Sequence, residues 1–255
     1  MIEQILTPLI SERFLSDERY REGHLRVLNA LPRRRVLGLH TPQMKQLAKA
    51  LSKEDGEGYI RRFEQASSDA LVYEETLVWG FLINLQKCPL QQRLAMLERY
   101  IPVRDNWAVC DAFCSNAKWM QRSDKERLWR FLLRWFASQR EFEVRFAIVA
   151  AMCYFIDREW IATLFEQIER IDFSRITSQY RSVKSRPERP QQGTVQGASP
   201  YYVRMGVAWL LATALAKFPD ETRAYVRSST LPDDVIRLYV RKARESFRTR
   251  SVQAV

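Results

Sequence analysis

Apolar residues recur three and four positions apart along almost the whole chain, and no run alternates β-branched with polar residues. Glycine and proline are sparse, 8 and 10 in 255 residues, so little interrupts that period. The pattern predicts a nearly all-helical protein. Helices are expected at 2–14, disturbed at Pro8, and at 17–31. After the basic turn Arg33-Arg34-Arg35, Thr41 is placed to cap a helix that Pro42 opens and that runs to about residue 51. Further helices are expected at 58–66, 70–86, 90–100, 106–119, 124–136, 141–156, 158–171 and 201–218, with a short one near Pro219 and a last one across 231–250.

The connections are short, which favours antiparallel helix pairs stacked in sequence. Val144-Arg145-Phe146-Ala147-Ile148 is echoed by Val203-Arg204-Met205-Gly206-Val207, a degenerate internal repeat. Repeated helical hairpins make a solenoid with a concave inner face. The expected fold is therefore a single all-α helical-repeat solenoid domain over residues 1–255. The one break in composition is 173–200, rich in Ser, Gln, Arg and Pro, where Arg175, Arg181, Lys184, Arg186 and Arg189 face a single acid, Glu188. It reads as a flexible insertion, either a phosphate contact or a solvated loop.

Charge sharpens the picture. The 41 Lys and Arg outnumber 30 Asp and Glu for a formal net charge of +11, which points to a polyanionic partner, nucleic acid ahead of membrane lipid. No apolar run reaches spanning length and no signal segment is evident, so a cytoplasmic protein is expected. Of the four cysteines only Cys110 and Cys114 are close enough to share a zinc, and no second ligand pair joins them; His24 and His40 stand apart. The cysteines read as small buried hydrophobes, and neither a metal nor a cofactor is expected. A phosphate loop, a Gly-x-Ser-x-Gly elbow and a histidine in a triad setting are all missing. Carboxylate chemistry or binding remains.

The stretch best suited to such chemistry is Asp105-Asn106-Trp107-Ala108-Val109-Cys110-Asp111. If helical, it sets the Trp107 indole one turn from the Asp111 carboxylate, a pair that suits a cationic ligand. Taken alone, Trp107 and Trp209 read as core aromatics. Arg145, within the apolar stretch Phe142 to Ile148, must pair with a carboxylate, reach water, or point into a groove that receives a phosphate.

Gly38-x-x-Thr41-Pro42, Tyr73-Glu74-Glu75, Asn106-Trp107-x-x-x-Asp111, Val144-Arg145-Phe146-Ala147 and Tyr201-Tyr202-Val203-x-Met205-x-Val207-Ala208-Trp209 occur in that order. Together, from about Val36 to Arg248, they resemble the AlkD-type DNA alkylation repair glycosylases. The resemblance implies a HEAT-like solenoid whose basic concave face holds duplex DNA and releases alkylated, positively charged purines such as 3-methyladenine and 7-methylguanine. It implies that Asp111 is catalytic, that Trp107 and Trp209 frame the nucleotide, and that Arg145 contacts DNA; Arg204, the counterpart of Arg145 in the internal repeat, is a further candidate DNA contact. The chain departs from the resembled pattern at Asn106, where well-known members carry an aromatic, and in the length of 173–200. A monomer acting on damaged duplex DNA is expected. A non-catalytic DNA-binding module and a protein-interaction scaffold are the alternatives.

Overall fold

The computed structural model describes residues 2–183, 186–192, 200–250 and 252–254, the side chains of 181–192 excepted. Thirteen α-helices make up most of the described residues, and the chain divides into two compact units, the second beginning at Asp124. The first unit holds α1 (Glu3–Leu6), α2 (Glu12–Ser16), α3 (Glu18–Leu28), α4 (Thr41–Gln65), α5 (Tyr73–Leu85), α6 (Leu90–Tyr100) and α7 (Trp107–Asn116). The second holds α8 (Lys125–Phe136), α9 (Glu141–Tyr154), α10 (Ile161–Glu169), α11 (Tyr201–Lys217), α12 (Pro219–Ser228) and α13 (Asp233–Glu245). Between α10 and α11 the chain forms a two-stranded ribbon, β1 (Tyr180–Val183) and β2 (Arg186–Gln192).

The all-α helical repeat is plain within each unit. Consecutive helices pair, α4 on α5, α8 on α9 and α11 on α12, while next-but-one helices pack face to face, α5 on α7, α9 on α11 and α11 on α13. The helices at the centre of these stacks are buried on every side. Every residue of α5 from Tyr73 to Ile83 is buried, as is every residue of α9 from Glu141 to Met152. A helix with no wet face cannot leave its end groups to water, so protein atoms must satisfy them and the chain around them.

Carboxylates at the first turns do this. Glu74, fully buried, accepts from the backbone amides of Leu37 (3.0 Å), Gly38 (2.8 Å) and Leu39 (3.3 Å), pinning the strand-like segment that leads into α4. Gly38 sits there at φ 86°, and a Cβ on it would lie 2.3 Å from the Phe14 ring, so the position requires glycine twice over. Glu75 accepts from Ile2 N (2.6 Å) and from Val72 N (3.1 Å), the latter capping its own helix.

In the second unit Glu141 accepts from Tyr202 N (2.7 Å) and from the Ser178 hydroxyl, while Arg145, one turn further along α9, donates to the Tyr202 carbonyl at 2.6 Å. Both groups of Tyr202's backbone are thus gripped by an i, i+4 pair of opposite charge. The repeat continues outward, since Arg204 of α11 reaches Asp234 in the first turn of α13. The echoed arginines of the sequence therefore do one job, each fastening the start of the helix two further along.

One expected break is kept and two expectations are refined. The predicted break between the helices at 41–51 and 58–66 is present as a kink within α4, where Asp55 leaves helical geometry (φ −157°, ψ 64°) and its carboxylate caps Gly58 N at 2.9 Å. The cap of α4 is His40 rather than Thr41, with Gln43 Oε1 accepting from His40 N at 2.9 Å. Within 173–200, Phe173, Ile176 and Tyr180 are buried, and Thr177 bridges to the Gln139-Arg140-Glu141 backbone. The rest of that stretch, residues 184–185 and 193–199, lies outside the described residues.

Burial pushes the Glu141 carboxyl up to about 7, against the opposing pull of the Ser178 and Tyr202 hydrogen bonds and the Arg145 charge. The folded value exceeds the unfolded value of 4.5, so the native state binds more protons in between. The contribution is complete below about pH 4.5 and is lost as the pH rises through about 7, by roughly 3 kcal/mol in the limit. Urea unfolding across pH 5–8 is expected to show this loss, and Glu141→Gln is expected to flatten it. An unchanged slope in the variant contradicts the assignment.

Candidate active site

Helix α7 has two sides. Val109, Cys110, Phe113 and Cys114 form its buried stripe, packed toward α5, and leave Trp107, Ala108, Asp111, Ala112 and Ser115 on the more open side. Trp107 and Asp111 are both half-buried and one turn apart on that side, flanked by alanines that keep the surface low around them. The spacing anticipated this arrangement; the alanine floor is the signal that distinguishes it from a core tryptophan.

Three sets of contacts hold the helix start. Asn106 is fully buried, and its Oδ1 caps α7 by accepting from Ala108 N at 2.8 Å. Its Nδ2 donates to the Leu28 carbonyl at 3.0 Å, and the Trp107 indole Nε1 donates to the same oxygen at 3.0 Å. Just before them, Asp105 accepts from Arg34 at 2.9 Å and from Arg33 at 3.3 Å. Arg34 also donates to the Leu71 carbonyl at 2.8 Å, and Arg35 pairs with Glu3. The basic turn of the sequence is thus an internal brace that ties the segment after α3 to the start of α7.

The second unit places the remaining candidates. Trp209 is 36% exposed, the one strongly exposed aromatic on the otherwise buried stretch of α11, so it is not the core residue that its neighbours suggested. Arg145 is 3% exposed and held by Tyr202, and Arg204 is held by Asp234. A phosphate contact from either would require those bonds to be given up. The basic side chains of α13 are more open: Arg237, Arg241 and Arg244 line a groove of about 470 Å³ with Ile236 and Val240.

His24 and His40, far apart in sequence, come to a ring separation of 6.1 Å, with the Tyr20 hydroxyl 3.1 Å from His40 Nε2. Burial and the neighbouring His40 lower the His24 pKa, as expected of two imidazoles that resist sharing positive charge. Among the described residues no three His, Cys, Asp or Glu side chains are grouped to hold a metal, and no helix is long and apolar enough to cross a membrane.

A family model described as DNA alkylation repair enzyme matches residues 15–174, which include α3 to α10 and the whole of the Trp107–Asp111 stretch. The chain belongs to that family. Membership makes it an enzyme of DNA alkylation repair, with DNA as its partner. No curated protein and no solved structure matches it. Trp209 and Arg204 lie beyond the matched residues, so Trp107, Asp111 and Arg145 are the candidates the family span contains.

The brace behind Trp107 is open to direct measurement. Asp105→Ala leaves the nearly buried Arg34 guanidinium without its carboxylate, and loss of one partner of such a pair costs about 3–5 kcal/mol. Equilibrium unfolding in urea is expected to show destabilisation of that order. A change below about 1 kcal/mol would mean that Asp105 does not brace the site.

Proposed function

We propose that this family member is a DNA glycosylase for cationic alkylpurines, acting in base excision repair, with Asp111 as its catalytic carboxylate and Trp107 as the ring that receives the charged nucleotide. The observation that carries the reading is the half-open indole–carboxylate pair on α7, its ring edge hydrogen-bonded, within the span that the DNA alkylation repair family covers.

The chemistry asks little of a protein acid. A purine alkylated at N3 or N7 already carries positive charge; when the C1′–N bond breaks, the bonding pair leaves with the purine and neutralises it. Positive charge then develops on the deoxyribose, water adds at C1′, and that water loses a proton. A carboxylate about 4 Å from the developing charge, at an effective dielectric near 20, supplies roughly 4 kcal/mol, or about a thousandfold in rate. Asp111 also orients the water and takes up its proton. The Trp107 ring face favours the cationic purine over a neutral one.

Trp209 offers a second exposed indole face on α11 and enters the reading through the resemblance. Arg145 and Arg204 act here as fasteners of helix starts, and phosphate contact falls to more open arginines such as Arg237 and Arg244.

Asp111→Asn keeps the size of the side chain and removes its charge. Release of free 3-methyladenine and 7-methylguanine from methylated duplex DNA is expected from the wild type. In the variant it is expected to fall by about two to three orders of magnitude, as loss of roughly 4 kcal/mol of charge stabilisation implies. DNA binding is expected to persist. Activity within about threefold of wild type removes Asp111 from the mechanism. No release by the wild type, with salt-sensitive DNA binding, makes the protein a binding module.

A further inference from the structure

Leu28 is the last residue of α3, and Asn29 turns the chain sharply away at φ 50°, ψ 47°. The Leu28 carbonyl is therefore one of the helix-end acceptors with no partner inside α3, at the negative end of the helix dipole. A carbonyl oxygen has two lone pairs. Here it receives two donors from successive residues 78 and 79 positions away, Asn106 Nδ2 and Trp107 Nε1, each at 3.0 Å.

The two donors do different things. The indole N–H is the only polar atom of the Trp107 side chain, so its bond fixes one edge of the ring and leaves the faces for a ligand. Asn106 has no exposed surface and reaches no ligand; it spends one end of its amide on Leu28 and the other on the α7 cap. The amide thus sets the distance and angle between the end of α3 and the start of α7, and with them the place of the oxygen on which the indole pivots.

We propose that Asn106 is a positioning residue that holds the Leu28 carbonyl where the Trp107 ring must dock, and so fixes the face that the ring presents beside Asp111. The catalytic consequence rests on the glycosylase reading; the docking itself does not. An aromatic residue at this position has no amide with which to join a helix cap to a carbonyl, so in this chain the orientation of Trp107 depends on a polar contact.

Two variants separate this role from capping. Asn106→Ser keeps an N-cap of similar quality but is too short to reach Leu28 as well. Asn106→Asp keeps the cap and the shape but replaces the donor with an acceptor facing the carbonyl. The readout is the Trp107 indole N–H resonance in 15N-labelled protein, identified by its loss in Trp107→Phe. Both variants are expected to move that resonance upfield and to speed its exchange with solvent at least tenfold. Single-turnover base release is expected to fall about tenfold while duplex affinity changes less than twofold.

An unmoved indole resonance overturns the proposal, as does a displaced one with full release activity. If the wild type releases no base, the glycosylase reading fails, and the resonance alone decides whether Asn106 docks the ring. Should Asn106→Ser fail to fold, Asn106→Asp carries the same measurements.

Discussion

The peptide of Tyr202 is held at both of its polar ends by α9, its N–H on Glu141 and its C=O beneath Arg145. That grip expresses the constraint under which the chain is built. A repeat of helices packed face to face buries its central members all round, and the first turns of buried helices cannot borrow water. Charged side chains stand in for it, from the helix's own first turn at α5 and from the helix two before it at α11 and α13. Such charges are bearable where they are hydrogen-bonded. Glu74 and Glu75 play the acceptor part at α5, and Arg204 with Asp234 extends the pattern to α13.

The candidate site arises from the same constraint. Helix α7 begins where it does because Asn106 caps it, Asp105 is braced by Arg34, and the spent end of α3 offers a carbonyl to the Trp107 indole. Every element of that support is internal to the first unit, and much of it is buried. On the more open side of α7 lie Trp107 and Asp111, both half-buried, with Ala108 and Ala112 beside them. In the proposed reading that surface receives a base that already carries positive charge and a sugar that acquires it; family membership supplies the setting of DNA alkylation repair.

The helical period was legible because nearly every element keeps an apolar stripe, and the break at Pro8 followed from its ring. The one-turn spacing of Trp107 and Asp111 was legible too, whereas Asn106, expected as the first residue of that helix, is its cap. What the sequence concealed depends on partners far away in the chain. Arg145 and Arg204 look alike to a reader of charge, and only the fold reveals that each is used up on the helix two further along. Arg33 to Arg35 read as a basic turn, yet Arg34 is buried against Asp105, some seventy residues on. The interruption of α4 was legible in Asp55-Gly56-Glu57-Gly58, but not its means, the Asp55 carboxylate that caps Gly58. Trp209 sits among apolar neighbours that gave it the look of a core residue, whereas the helix turns it outward. Leu28, whose backbone oxygen anchors the site, carries no signal at all, because a carbonyl belongs to every residue.

Everything proposed for α7 comes down to Trp107 and Asp111 acting as one unit on one cationic nucleotide. A double-mutant cycle on the single-turnover rate of 7-methylguanine release decides this, using Trp107→Ala, Asp111→Asn and the double variant. If the pair works together, the double variant is hardly slower than the worse single one, and the coupling exceeds about 1 kcal/mol. Losses that simply add would mean that the indole and the carboxylate act on the reaction separately, and the pair would not be a unit.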